Sequence, residues 1–197
     1  ALVALQYDDG IALVAENPSN TLRKISEIYD RIAFAGMGKY NEFDQLRVAG
    51  VRAADLKGYQ FSRLDVDARG LANQYAQILG QTFTHEMKPL EVEILVAEVG
   101  LTPESDQLFH IMYDGTVIDE HQFTVLGGDM EAIRVRLSER FVAGSTLQNA
   151  VKIAHHALSS VDSAINSSEL EVAVLTRNSS RRCFTRLSES TITQFLV

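Results

Sequence analysis

Several residue types that often reveal the class of a protein are scarce in this chain. Its 197 residues include one cysteine, Cys183, and no tryptophan. A single cysteine cannot form an internal disulfide, which argues against a disulfide-stapled secreted scaffold. The histidines lack metal-ligand spacing, and the adjacent His155 and His156 would point to different faces of a helix. We therefore expect no metal site and no other cofactor.

Positive charge and long apolar runs are also lacking. Lysine and arginine number 18 against 26 acidic residues, which gives a net charge of −8 at pH 7. The phosphate backbone of a nucleic acid needs a basic surface, so a nucleic-acid partner is disfavoured. No run approaches the roughly 20 apolar residues that span a bilayer, and no signal-peptide pattern is present. These absences favour a cytoplasmic protein without a membrane partner.

The residues that are present describe an ordinary globular chain whose length fits one domain over residues 1–197. Two nearly continuous apolar runs, residues 2–5 and 11–15, flank a turn at Asp9-Gly10. A half-exposed strand would alternate apolar and polar residues. We therefore expect both strands to be covered on both faces.

Further strands and helices follow in alternating groups. The predicted strands are 24–36 (a hairpin turning at 29–31), 90–96 with one solvent face, 108–113, Val117–Glu120, Phe123–Leu126, 170–174 and 182–187. The predicted helices are 41–57, one from Asp65 or Asp67 to Phe83, 130–141 and Leu147–Leu158, with a polar loop at 159–168 and a last helical turn at 191–197. Paired helices between strand groups argue against a doubly wound parallel sheet. The order favours two stacked antiparallel sheets with helix pairs outside.

Five short stretches carry a resemblance to a known family. They are Val3-Ala4-Leu5-Gln6-Tyr7, Val14-Ala15-Glu16-Asn17-Pro18, Lys24-Ile25-Ser26-Glu27-Ile28-Tyr29-Asp30, Gly38-Lys39-Tyr40-Asn41-Glu42-Phe43-Asp44 and Leu90-Glu91-Val92-Glu93. With them, the whole chain resembles the α-type subunits of the proteasome core particle, and most those of actinobacteria. The resemblance implies an α+β fold, the four-layer αββα sandwich of the N-terminal-nucleophile hydrolases.

The same resemblance identifies degenerate catalytic positions. Catalytic β-type members of the family use an N-terminal threonine, supported by a lysine and by nearby acid and serine groups. Alignment with the family puts Ala1 one place after the nucleophile, and no threonine precedes Thr21. Lys24 matches the catalytic lysine, Glu16 the acidic position and Gly128 the serine position. The resemblance therefore implies a chain without catalytic residues, in a complex that is a threonine-type endopeptidase.

In α-type subunits the matching lysine has another use. The resemblance implies that Lys24 lies in a pocket between neighbouring subunits and binds the C-terminal carboxylate of a regulatory ATPase or other activator. A lysine suits a carboxylate as a compact charge, although a strand-end lysine by itself is more often simply solvated. The loop of His85, Glu86, Met87 and Lys88 matches the pore-lining constriction in position, but it lacks the commoner small, glycine-containing form.

The expected partners are those of an α-type ring subunit. They are identical α subunits in a seven-membered ring, β-type catalytic subunits that this ring templates, and an activator at the entry gate. The N-terminal gate extension of the family is absent from this sequence, which begins at the first strand. Two alternatives stay open, a catalytic β-type threonine endopeptidase and a small-molecule binding module on the same fold.

Overall fold

Strands and paired helices alternate along the chain in a computed structural model, which describes residues 1–19, 21–159, 164–177 and 180–197. The strands are β1 (Leu2–Tyr7), β2 (Gly10–Glu16), β3 (Ile25–Tyr29), β4 (Ile32–Gly38), β5 (Val92–Glu98), β6 (Gln107–Ile111), β7 (Val117–Glu120), β8 (Phe123–Leu126), β9 (Leu170–Thr176) and β10 (Phe184–Arg186). The helices are α1 (Tyr40–Gln60), α2 (Ala68–His85), α3 (Met130–Arg140), α4 (Leu147–Leu158) and α5 (Glu189–Leu196).

Two five-stranded antiparallel sheets form the centre of the molecule. Their strand orders are β10-β9-β2-β1-β8 and β3-β4-β5-β6-β7. Helices α3 and α4 cover the first sheet, while α1 and α2 cover the second. This arrangement confirms the predicted four-layer αββα sandwich of the N-terminal-nucleophile hydrolase type.

The core between the sheets explains the continuous apolar runs. Leu2 and Leu13 of the first sheet and Leu95 of the second have no exposed surface and belong to one cluster between the sheets. Val3 and Leu5, the alternate residues of β1, are equally buried in the cluster that includes α3 and α4. Both faces of β1 are therefore covered, as predicted.

The predicted solvent face of the strand at residues 90–96 is wrong. The strand begins at Val92, and Leu95 and Ala97 are completely buried between the sheets. Ile94 and Val96 face the other way and are buried in the cluster that includes α1 and α2. The alternation that predicted a solvent-exposed face is confined to Glu91 and Glu93, at the start of β5.

Helix α1 is longer than predicted, because Gly58, which follows the predicted range, lies inside the helix. The helix continues past Gly58 to Gln60, and a Cβ at Gly58 would lie 2.0 Å from the Tyr29 hydroxyl oxygen. Gly58 therefore serves close packing instead of termination. Gly50 is buried in α1, whereas the neighbouring Ala49 is exposed.

The C-terminal part of the chain is more helical than its sequence pattern indicated. The predicted last turn is the eight-residue helix α5, and its N-cap Ser188 accepts a hydrogen bond from the Thr191 N–H at 3.2 Å. Residues 160–163 of the predicted polar loop lie outside the described residues. None of the helices in the described ranges is both long and apolar enough to cross a membrane.

Candidate functional site

The positions matched to a catalytic site lie together at one end of the sandwich. The Lys24 ammonium donates a hydrogen bond to the Glu16 carbonyl oxygen at 2.6 Å. The Glu16 N–H in turn donates to the Ala1 carbonyl at 3.1 Å. A Cβ added to Gly128 would lie 3.0 Å from the Ala1 Cβ. The structure therefore brings Ala1, Glu16, Lys24 and Gly128 into one site.

The backbone at Gly128 is built for glycine. Its φ angle is +64°, in the left-handed region that side chains rarely adopt. A side chain there would also press against Ala1. The position that matches the serine thus has neither a hydroxyl group nor ready space for one.

The β3–β4 hairpin positions Lys24 just before its first strand. The Lys24 carbonyl accepts a hydrogen bond from the Gly36 N–H of β4 at 2.9 Å, which holds the residue in register. Its side chain is half-buried. Burial lowers the pKa of Lys24, while the nearby Glu16 and Glu171 carboxylates act in the opposite direction. The ammonium has three N–H donors, and the bond to Glu16 uses one of them.

A buried carboxylate, that of Glu171, accepts a hydrogen bond from the backbone of Lys24. Glu171 is 3% exposed and accepts the backbone N–H groups of Lys24 at 2.9 Å and of Ile25 at 3.1 Å. It also accepts the Asn17 side-chain amide at 2.7 Å and the Arg186 guanidinium. These donors satisfy a carboxylate that would otherwise be costly to bury.

Reasoning from the sequence missed Glu171 and Arg186. Glu171 lies between Leu170 and Val172 on β9, where an alternating pattern predicts a solvent-facing side chain. The one sequence signal for its burial is that Glu171 interrupts an otherwise apolar run. Nothing in the sequence indicated that Arg186 of β10 pairs with it.

The predicted pore-lining loop lies apart from the Lys24 contacts. Helix α2 ends at His85, and all four residues from His85 to Lys88 are exposed. The Lys88 ammonium is 3.4 Å from a Glu42 carboxylate oxygen and 3.3 Å from one of Glu91. These contacts fix the end of the loop to the start of α1 and leave the Met87 side chain in solvent.

A cleft of about 550 Å³ connects the end of this loop with the degenerate serine position. Its lining includes Pro89 and Leu90 after the loop, Met37 of β4, and Gly127 and Gly128 before α3. In the described ranges, no group of three or more histidine, cysteine, aspartate or glutamate residues is arranged to hold a metal ion. Lys24 supplies a half-buried cation to the neighbouring group of Ala1, Glu16 and Gly128.

Comparison with known proteins places this geometry in a family. The family model described as proteasome subunit matches residues 1–175. A proteasome subunit alpha of Acidimicrobium ferrooxidans is 57% identical over 196 residues, which cover 100% of this chain and 84% of the relative. That of Thermomonospora curvata is 52% identical, with coverage of 100% and 86%. That of Kineococcus radiotolerans is 55% identical, with coverage of 95% and 83%. The chain therefore belongs to the proteasome subunit family, on its α-type branch.

Proposed function

We propose that this chain is a non-catalytic subunit of the outer ring of a proteasome core particle and that Lys24 binds the C-terminal carboxylate of a regulatory ATPase. The observation that carries the proposal is the site around Lys24. The lysine is retained, whereas Gly128 has no hydroxyl group at the position that matches the catalytic serine. Peptide-bond cleavage then belongs to the β-type subunits of the assembled threonine endopeptidase.

The surroundings of Lys24 favour recognition of a carboxylate. Hydrogen bonds to Glu16 and to Gly36 fix its side chain and its backbone. Because the ammonium is half-buried, a carboxylate that approaches it is screened less than it would be at an open surface. An oriented ammonium with spare N–H donors forms a short, charge-assisted hydrogen bond with such a group.

Exposed apolar side chains support assembly into rings. Tyr59 lies in the last turn of α1, and Phe61 and Leu64 follow the helix; they are 90%, 72% and 91% exposed. Apolar residues gathered in this way are typical of surfaces that another protein covers. We propose that such surfaces join seven copies of the chain and the β ring that this ring templates.

The proposed entrance of the particle uses the loop of residues 85–88. Its solvent-exposed position at the end of α2, with Met87 projecting fully into solvent, suits a constriction that substrates pass. The proposal assigns gating to the α ring and leaves cleavage to the β ring.

The docking role is tested with the Lys24→Ala variant assembled with its β partner. We expect at least a roughly tenfold loss of affinity for a peptide with the last ten residues of the regulatory ATPase, because the cation for the carboxylate is gone. Peptide hydrolysis stimulated by this decapeptide should fall with it, while the native mass of the particle stays the same.

The matched control is Lys57→Ala, which removes a lysine of α1 whose ammonium is 3.9 Å from an Asp67 carboxylate oxygen. This variant should respond to the decapeptide like the wild type. Full stimulation of the Lys24→Ala particle would remove Lys24 from the docking site.

A further inference from the structure

The ion pair of Arg186 and Glu171 contacts the backbone of Lys24 and influences which ligands the lysine can bind. We propose that Arg186 and Glu171 are positioning residues of the docking site. In this inference Glu171 fixes the backbone of Lys24, and Arg186 neutralises Glu171 so that Lys24 keeps a net positive charge toward the incoming carboxylate. The inference rests on the proposed function of Lys24 and adds two residues on other strands to it.

The pair joins the two sheets at the point where Lys24 enters β3. Glu171 lies on β9 of the first sheet and accepts two consecutive backbone N–H groups, those of Lys24 and Ile25. Arg186 of β10 donates to Glu171 and also, at 2.6 Å, to the Ile25 carbonyl of the second sheet. The position of the Lys24 backbone therefore depends on both members of the pair.

Glu171 also fixes the acceptor that orients the ammonium. The Asn17 side-chain amide donates to Glu171 at 2.7 Å and to the Leu22 carbonyl at 2.8 Å. Asn17 directly follows Glu16, whose carbonyl oxygen accepts the Lys24 ammonium. One carboxylate thus holds the segment before the lysine and the lysine itself.

The charges show why Arg186 is needed beyond packing. Lys24 lies within electrostatic range of the buried Glu171 carboxylate, which stabilises its charged form. Without Arg186, that carboxylate would cancel the charge of Lys24 and repel an incoming carboxylate. With Arg186, the three residues carry a net charge of +1, and the Glu16 carboxylate, which also acts on Lys24, is the same in every variant compared. This difference in charge should change the affinity for a neutral ligand little and the affinity for a carboxylate strongly.

The test measures discrimination between a charged and a neutral ligand. Particles assembled from variant chains and wild-type β subunits are titrated with two fluorescent decapeptides from the C-terminus of the regulatory ATPase. One decapeptide carries a free carboxylate and the other a C-terminal amide. The ratio of the two dissociation constants isolates the charge effect, since a merely structural disturbance weakens both peptides alike.

We expect Arg186→Met to lower this ratio by roughly tenfold, because Glu171 is then uncompensated. Arg186→Lys, which restores the charge, should keep the ratio within about threefold of the wild type. The double variant Arg186→Met with Glu171→Gln removes both charges and should recover most of the ratio, because replacement of both partners of a buried pair is often tolerated.

The matched control is Arg182→Met. Arg182 pairs with Glu27 through its Nε at 2.9 Å, and its side chain is 68% exposed. Its removal should leave the ratio unchanged.

An unchanged ratio in Arg186→Met would overturn the inference, as would failure of the double variant to recover it. If Arg186→Met does not assemble, the double variant decides, since it carries no uncompensated charge. The Lys24→Ala particle separates the two claims. If it retains the wild-type ratio, the docking function itself fails. If it loses the ratio while Arg186→Met retains it, only the role of the pair fails.

Discussion

The conformation of Gly128 shows why a serine is difficult to accommodate at the position that matches the catalytic serine. Its φ angle of +64° disfavours any residue other than glycine. A Cβ at position 128 would also lie only 3.0 Å from the Ala1 Cβ. Lys24, by contrast, donates hydrogen bonds from its backbone N–H and its ammonium, and its carbonyl oxygen accepts one. The site therefore holds the cation in place, and a serine at position 128 would be strained.

We predict that Gly128→Ser lowers the free energy of unfolding by about 1–3 kcal/mol, because the left-handed backbone is strained for serine and the side chain meets Ala1. The variant should gain no peptidase activity, because a serine hydroxyl in this strained position does not by itself make a catalytic site. Urea denaturation measures the first outcome and peptide hydrolysis the second.

Gly144→Ser is the control for backbone strain alone. Gly144 has a similar φ of +72°, and a Cβ there would meet nothing within 4 Å. Gly144→Ser should lower the free energy of unfolding by less than Gly128→Ser does. Equal costs at the two positions would show that contact with Ala1 contributes nothing.

Single residues were predictable from the sequence only where a local motif carried them. Lys24 and Glu16 stand in stretches that resemble the family, and Gly128 was assigned by alignment with it. Glu171 and Arg186 do not, because their pairing depends on the register of β9 against β10, in which Arg186 lies opposite Ala173. Tertiary packing fixes that register, and the sequence of neither strand predicts it.

At the scale of elements, glycines control how closely helix α1 approaches its neighbours. Gly50 faces Tyr75 of α2, whose buried hydroxyl donates to the Leu46 carbonyl at 2.9 Å. A Cβ at Gly50 would lie 1.7 Å from that hydroxyl oxygen. Apolar periodicity cannot detect such a contact, because glycine carries no apolar side chain to count. The apolar spacing therefore points to Ala49 as the buried residue of α1.

We predict that Gly50→Ala lowers the free energy of unfolding by about 1–3 kcal/mol, despite the higher helix propensity of alanine, because the methyl group displaces the Tyr75 hydroxyl. Thermal or urea denaturation of the purified chain measures the change.

The matched control is Gly80→Ala in α2. The nearest atom to a Cβ at Gly80 is the Asp114 carbonyl oxygen at 3.5 Å, an ordinary contact distance. This substitution should stabilise the chain by up to about 1 kcal/mol through helix propensity alone. Stabilisation by both substitutions would contradict the close packing of α1 on α2.

At the scale of the whole molecule, the order of elements was predictable from the sequence. Apolar runs gave the doubly covered strands, and helical spacing gave the paired helices. The layer order followed from the pairing of helices between strand groups. The burial of β5 on both faces was not predictable in this way, since its neighbours in space come from distant parts of the chain.

The surface of the molecule points beyond the isolated chain. Its exposed apolar residues at the end of α1 and the exposed loop at residues 85–88 are unexplained in a monomer but suit a subunit of a larger ring. A small-molecule binding module on this fold would instead work as a monomer.

The central claim, that this chain contributes structure and not catalysis to a proteasome, is tested most directly by peptide hydrolysis measured across size-exclusion fractions of the chain alone, of its β partner alone and of their mixture. We predict that the chain alone shows no hydrolysis sensitive to a threonine-directed inhibitor. The mixture should elute as a particle far larger than either chain and carry that activity. Robust inhibitor-sensitive hydrolysis by the chain alone, or a chain that stays monomeric beside its β partner, would contradict the account.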